Sequence, residues 1–180
     1  GVGAWRAIAG AGVSRQDRRV AFLGAGGAVR AVAFALADAG GLARLSILGR
    51  TASRVEALAN DLRRATPAPV HTGDLGTDLE RAIKEHDVLI QGTPMGMHGH
   101  DPESTLVPAA WLRPDHVVFD MVYRPIKTRL IRDAEKIGCN TIAGLEMLLY
   151  QAILQFETWT GVPAPRTVMR EALLAGLSES

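Results

Sequence analysis

The feature that most constrains this chain is a cluster of glycines at a junction. Val20–Leu23 is a short apolar run with Arg18 and Arg19 before it and Gly24-Ala25-Gly26-Gly27-Ala28-Val29-Arg30 after it. Charge before and glycine after such a run mark a strand buried on both faces, as in a parallel sheet. The alanine-rich stretch from Ala28 to Ala39 then reads as a helix, stopped by Gly40-Gly41. A strand, a glycine turn and a helix in this order form a natural anion cradle. Gly24 permits the tight turn, and Gly26 lets the backbone approach a pyrophosphate closely. The helix N-terminus adds free N–H groups and the positive end of a dipole. This is the context in which G-x-G-x-x-G marks a dinucleotide site. Val29 stands at the third glycine position, so the competing reading is a plain strand-to-helix turn.

The rest of the chain repeats the alternation. Strands are expected at Arg44 to Leu48, weakly at Val70-His71, at Val88 to Ile90, at Val117 to Phe119 and at Cys139 to Ile142. Helices are expected at Val2 to Ala9, from a cap at Thr51 to about Arg64, at Thr77 to Glu85, at Ile126 to Ile137 and at Leu145 to Trp159. A long irregular segment runs from Gly92 to Pro108. The implied fold is α/β: a Rossmann-type three-layer sandwich with a mostly parallel six-stranded sheet in the order 3-2-1-4-5-6. Residues 1–162 form the nucleotide-binding domain in this reading. Residues 163–180 form a C-terminal tail with a short helix, roughly Thr167 to Leu177.

Composition excludes several classes of partner. Lys and Arg total 20 against 19 Asp and Glu, a net charge of +1, which points to neither nucleic acid nor an anionic membrane. No apolar run approaches the ~20 residues of a membrane span. Cys139 is the single cysteine, so no internal disulfide forms, and a cytoplasmic protein is expected. The opening GVGAWRAIAG lacks a signal-peptide pattern and an initiator Met, and the chain reads as a fragment or a processed product.

The end of the second strand selects the nucleotide. An NAD site places Asp or Glu there to accept from the ribose hydroxyls. Here the sequence is Leu48-Gly49-Arg50-Thr51-Ala52-Ser53-Arg54, with no carboxylate before Glu56. Two guanidiniums and two hydroxyls suit a 2′-phosphate, because Arg binds phosphate through paired N–H groups. The cofactor expected is therefore NADP. The alternative is that Arg50 and Arg54 are merely solvated residues of a first helical turn.

The segments VAFLGAGGAVRA, GRTASR, DVLIQGTPMGM, VFDMVYRPIKT and GLEMLLYQA, in this order, resemble the shikimate dehydrogenase family from about Gly1 to Gly161. The resemblance implies reversible reduction of 3-dehydroshikimate to shikimate with NADPH, in aromatic amino-acid biosynthesis. It implies that Gly24, Ala25, Gly26, Gly27 and Ala28 form the pyrophosphate loop. Arg50, Thr51 and Arg54 match the adenosine-phosphate motif, with Gly49 where the family usually has Asn. Thr93 and Met121 match positions near the nicotinamide and its ribose, and Gly144 a backbone contact to that ring. Tyr123 and Gln151 match residues that reach substrate. Gln91-Gly92 replaces the family's common Asn-Ala. The family's proton-transfer Lys and Asp lie in an N-terminal substrate domain, whose last Asn-Thr-Asp-Gly stretch precedes a helix like Val2 to Ala9. That domain is expected to lie outside this chain, which leaves no catalytic residue within it. A catalytically silent NADP(H)-binding sensor or partner module and a quinate/shikimate-type polyol dehydrogenase are the two alternatives.

Other residues carry weaker signals. Tyr123 and Lys127 have the Y-x-x-x-K spacing of short-chain dehydrogenases, but Pro125 disfavours the helix that motif needs. His98, His100 and Asp101 lack a fourth metal ligand and read as a polar loop at the cleft. Cys139 reads as a buried inert thiol, and His71, His86 and His116 as structural or surface residues.

Overall fold

The computed structural model describes Ile8, Ser14 and residues 16–178. Apart from Ile8, which is helical and buried, the expected first helix lies outside the described residues.

Six strands form one sheet: β1 Arg19–Leu23, β2 Arg44–Gly49, β3 Val70–Asp74, β4 Val88–Gln91, β5 Val117–Asp120 and β6 Asn140–Ala143. All neighbours pair in parallel, and the order is β3-β2-β1-β4-β5-β6. The helices are α1 Gly27–Ala39, α2 Ala52–Ala65, α3 Leu79–Glu85, α4 Arg129–Ile137, α5 Gly144–Thr160 and α6 Arg166–Ser178. The expected architecture and strand order are those observed.

Strand alternation divides the core. Val20 and Phe22 of β1 point to one face, with Val29, Val32 and Leu36 of α1, Val55, Leu58 and Leu62 of α2, and Met147 of α5. Ala21 and Leu23 point to the other, with Leu79 and Ile83 of α3 and Leu130 and Ala134 of α4. Burying both faces accounts for the nearly unbroken apolar character of the central strands. No helix among the described residues is long and apolar enough to cross a membrane.

Some boundaries differ from the sequence expectation. The helix expected from Ile126 starts at Arg129, because Thr128 caps it: its hydroxyl accepts from the Ile131 N–H at 3.3 Å. Residues 123–128 are therefore not helical, and Tyr123 and Lys127 do not share a helix face. The third strand extends past His71 to Asp74, carried by parallel pairing to β2 rather than by its own weak propensity. Cys139 lies just before β6, buried, with its thiol donating to the Arg113 carbonyl at 3.1 Å.

Candidate cofactor site

In an open parallel sheet, the crevice opens where the chain reverses its direction of travel across the sheet, between β1 and β4. The loops leaving those two strands meet here. Gly24 N–H donates to the Leu48 carbonyl at 2.7 Å, and Gly92 N–H to the Leu23 carbonyl at 2.9 Å. Gly24 has φ +117°, and a Cβ there would lie 3.2 Å from the Gly92 backbone. Both the dihedral and the close approach call for glycine. Around Gly26 and Gly27 there is open space, so the backbone is free to meet a ligand.

Two helix N-termini face this point. Gly26 begins α1 with no side-chain cap, and no acidic residue occupies its first turn. Thr51 begins α2, but its hydroxyl makes no capping bond; only its carbonyl is used, by Arg54 N–H and Val55 N–H. The expected Thr51 cap is thus positional, and its hydroxyl stays available. Uncapped first turns leave N–H donors that seek an anion. Gly24, Ala25, Gly26, Gly49, Arg50, Thr51 and Arg54 line one cleft of about 180 Å³, closed on the far side by Thr93 and Pro94.

The charges here are unbalanced. Most arginines among the described residues are held by carboxylates, as in Arg19–Asp87, Arg30–Asp61 and Arg63–Glu56. Arg50 and Arg54 have no such partner among the described residues, and both are exposed. Glu56, the first carboxylate after β2, is turned away by Arg63 and by the Thr72 hydroxyl, which donates to it at 2.6 Å. These bonds hold its pKa below the usual carboxylate value, the Thr72 bond most strongly. The residues that line this cleft, two unpaired guanidiniums with Thr51, therefore fit a phosphate on the ribose.

Two further clefts continue from the first. One, about 380 Å³, is lined by Ala28, Thr93, Met97, His98, Met121 and Tyr123, among others. The other, about 540 Å³, runs along Arg50, Asp74, Leu75, Met95, His100 and Leu106. Thr93 and Pro94 border all three. Of the residues singled out from sequence, Gly27, Gly144 and Gln151 line none of them. Gly144 is buried at the start of α5, where a Cβ would lie 2.5 Å from the Val122 carbonyl oxygen. Gln151 is half-buried on α5.

Two glycines compensate for valines. A Cβ on Gly92 would lie 2.2 Å from Val29 Cγ2, and one on Gly49 would lie 2.5 Å from Val55 Cγ2. The third glycine of the fingerprint normally lets helix and strand approach. Here Val29 occupies that position, and the missing side chain is on β4's loop instead. The departures at Gly49 and Gly92 are thus matched by bulk across the interface.

Two buried groups received no role from the sequence, although Gln91 stood out as a departure from the family pattern. Gln91 is 2% exposed and spends its amide on the Thr93 loop. Asp120, at the end of β5, is 1% exposed; it accepts from Thr128 Oγ1 at 2.6 Å and from Val122 N–H at 3.0 Å. Burial pushes its carboxyl up to about 6, against these two bonds. It ties down the turn that carries Met121 and Tyr123. The signal for it was a lone carboxylate closing an apolar strand, which burial obliges to find partners.

Comparison with known proteins agrees with this geometry. Residues 8–98 match the family model for shikimate / quinate 5-dehydrogenase, and residues 144–174 that for the shikimate 5′-dehydrogenase C-terminal domain. The chain is 44% identical over 156 residues to the shikimate dehydrogenase (NADP(+)) of Methanopyrus kandleri, covering 86% of this chain and 53% of that one. The shikimate 5-dehydrogenase of Thermus thermophilus, solved with NADP(H) and shikimate, superimposes with a TM-score of 0.80 at 33% identity, over 97% of this chain and 60% of that one. Quinate dehydrogenase from Corynebacterium glutamicum, in complex with NAD, gives 0.86 at 33% identity, over 97% and 61%. The chain thus spans little more than half the length of the relatives it matches.

Proposed function

This chain belongs to the shikimate dehydrogenase family, and on that premise we propose that it is the cofactor-binding part of an NADP-dependent oxidoreductase that interconverts 3-dehydroshikimate and shikimate. The observation that carries the reading is the meeting of two uncapped helix N-termini with Arg50 and Arg54, which have no carboxylate partner among the described residues. Residues 1–162 form the nucleotide-binding domain in this proposal and residues 163–180 a tail. The substrate domain, with the Lys and Asp of proton transfer, belongs to the remainder of the enzyme. A cytoplasmic location fits the single cysteine.

Each residue has a stated task. Gly24, Ala25, Gly26, Gly27 and Ala28 hold the pyrophosphate through backbone N–H groups, without a side chain in the way. Arg50, Thr51 and Arg54 hold the 2′-phosphate. Thr93 and Met121 bound the nicotinamide, and Gly144 supports it through the backbone. When bound, NADPH supplies the hydride. Tyr123, 44% exposed at the mouth of the second cleft, offers a phenol to the substrate, and Gln151 an amide. The likeness to a quinate dehydrogenase supports a second reading, in which the substrate is quinate or a related cyclic polyol.

Calorimetric titration of the chain with NADPH and with NADH tests the cofactor assignment. Hydrogen bonds to charged groups contribute roughly 1.5–3 kcal/mol each. The expected preference for NADPH is therefore about 100-fold, and the double variant Arg50→Ala/Arg54→Ala abolishes it. Preference for NADH would refute the assignment of Arg50 and Arg54.

A further inference from the structure

We propose that Gln91 is the positioning residue of the cofactor cleft: its buried amide holds the Thr93–Met95 loop in the one place that keeps all three compartments open. The proposal rests on the NADP reading above and adds a residue to which neither motif nor resemblance gave a role.

A side-chain amide has two N–H donors and an oxygen that accepts twice. Gln91 uses all four. Its Nε2 donates to the carbonyls of Thr93 at 3.1 Å and Met95 at 3.2 Å. Its Oε1 accepts from Thr93 N–H at 2.6 Å and from Thr93 Oγ1 at 2.7 Å. Only one orientation of the amide satisfies two carbonyls on one side and two donors on the other. The side chain is almost fully buried, so water cannot substitute for a lost bond.

The loop so held is the shared wall of the site. Thr93 and Pro94 border the phosphate cleft, the nicotinamide-side cleft and the cleft along Asp74 and Leu106. A shift of this loop would alter every compartment at once, whereas Arg54 borders one and Arg50 two. The network also restricts Thr93. Its hydroxyl proton goes to Gln91, and the oxygen accepts from Met95 N–H at 3.3 Å. Toward a ligand, Thr93 offers a lone pair and a methyl group but no O–H donor.

The test is calorimetric titration of the chain and two variants with NADP+ and NAD+. Gln91→Met keeps length and removes every hydrogen bond. We expect at least tenfold weaker binding of both nucleotides, with the NADP+/NAD+ ratio unchanged. Gln91→Glu turns an oxygen toward the Thr93 and Met95 carbonyls, and protonation restores one donor there. Its deficit relative to the unsubstituted chain should therefore shrink between pH 8 and pH 5.5; the cofactor's own titration cancels in that ratio. This second variant decides the matter should Gln91→Met fail to fold. Undiminished binding by Gln91→Met, a change confined to the NADP+/NAD+ ratio, or a pH-independent deficit in Gln91→Glu would overturn the proposal. If the unsubstituted chain binds neither nucleotide, the cofactor reading itself fails and the proposal with it.

Discussion

The two sides of the cleft are built by different means. The phosphate side is backbone and exposed charge: Gly24 and Gly26 clear the way, two helix N-termini present N–H groups, and Arg50 and Arg54 have no ion pair among the described residues. The nicotinamide side is held by interior contacts: Gln91 clamps one loop, Asp120 another, and Gly144 allows α5 to begin against the backbone of Met121 and Val122. Substitutions should therefore divide: changes to the first side lower affinity alone, whereas changes to the second lower stability, and affinity as well where they release the Thr93 loop that borders the cleft.

The largest stability loss is expected at Gly144. A methyl group there would meet the Met121 and Val122 carbonyl oxygens at 2.7 and 2.5 Å, and backbone cannot step aside as a side chain can. Gly144→Ala should cost about 3 kcal/mol, the upper range for overpacking, read as a lowered urea midpoint at constant slope. A loss under about 0.5 kcal/mol, no more than an ordinary surface change, would show that this side is looser than described. Gly92→Ala comes next, at about 2 kcal/mol, because it meets a valine methyl. Adding Val29→Ala should return part of that loss, and a double-mutant cycle should give a coupling near 1 kcal/mol. Strict additivity would break the claim that Gly92 answers Val29. By contrast, Gly26→Ala meets nothing within 4 Å; it should leave the urea midpoint unchanged while weakening NADP+ binding.

The smallest effect concerns pH. The Asp120 carboxyl sits near 6 when folded, above its ordinary 3.8. Between these values the folded state binds more protons, so this group's contribution to stability falls as pH rises from about 4 to 6. Asp87 acts oppositely. Arg19 holds it down to about 2, and its contribution is lost as pH falls from about 4 to about 2. Asp120→Asn should remove the first dependence and leave the second, which urea titrations at pH 2, 3, 4, 5, 6 and 7 would resolve. An unchanged pH profile would mean that Asp120 is not the buried titrating group.

Legibility in the sequence followed the same division. The glycine turn and the Arg50–Arg54 pair were readable because phosphate binding leaves a local signature: residues missing side chains, and cations where carboxylates are expected. The strand order was readable because alternation of strands and helices admits few connections. Gln91 and Asp120 were not, since a polar residue at a strand end gains its meaning only from how the loop after it folds back, here onto Thr93 and Met95 and onto Val122 and Thr128. The valine at the fingerprint's third glycine looked like a defect for a different reason: its partner is far away in sequence. The compensating space at Gly92 is 63 residues further along the chain.

The unpaired arginines have a consequence for rates. The molecule as a whole is nearly neutral, and most other arginines among the described residues are paired with carboxylates. At the cleft mouth two guanidiniums stand without such a partner. A polyanionic nucleotide diffusing nearby is drawn toward that mouth. Capture should be fast in dilute buffer and slow as added salt shortens the reach of the field below about 10 Å, while the escape rate, governed by contacts inside the cleft, changes far less.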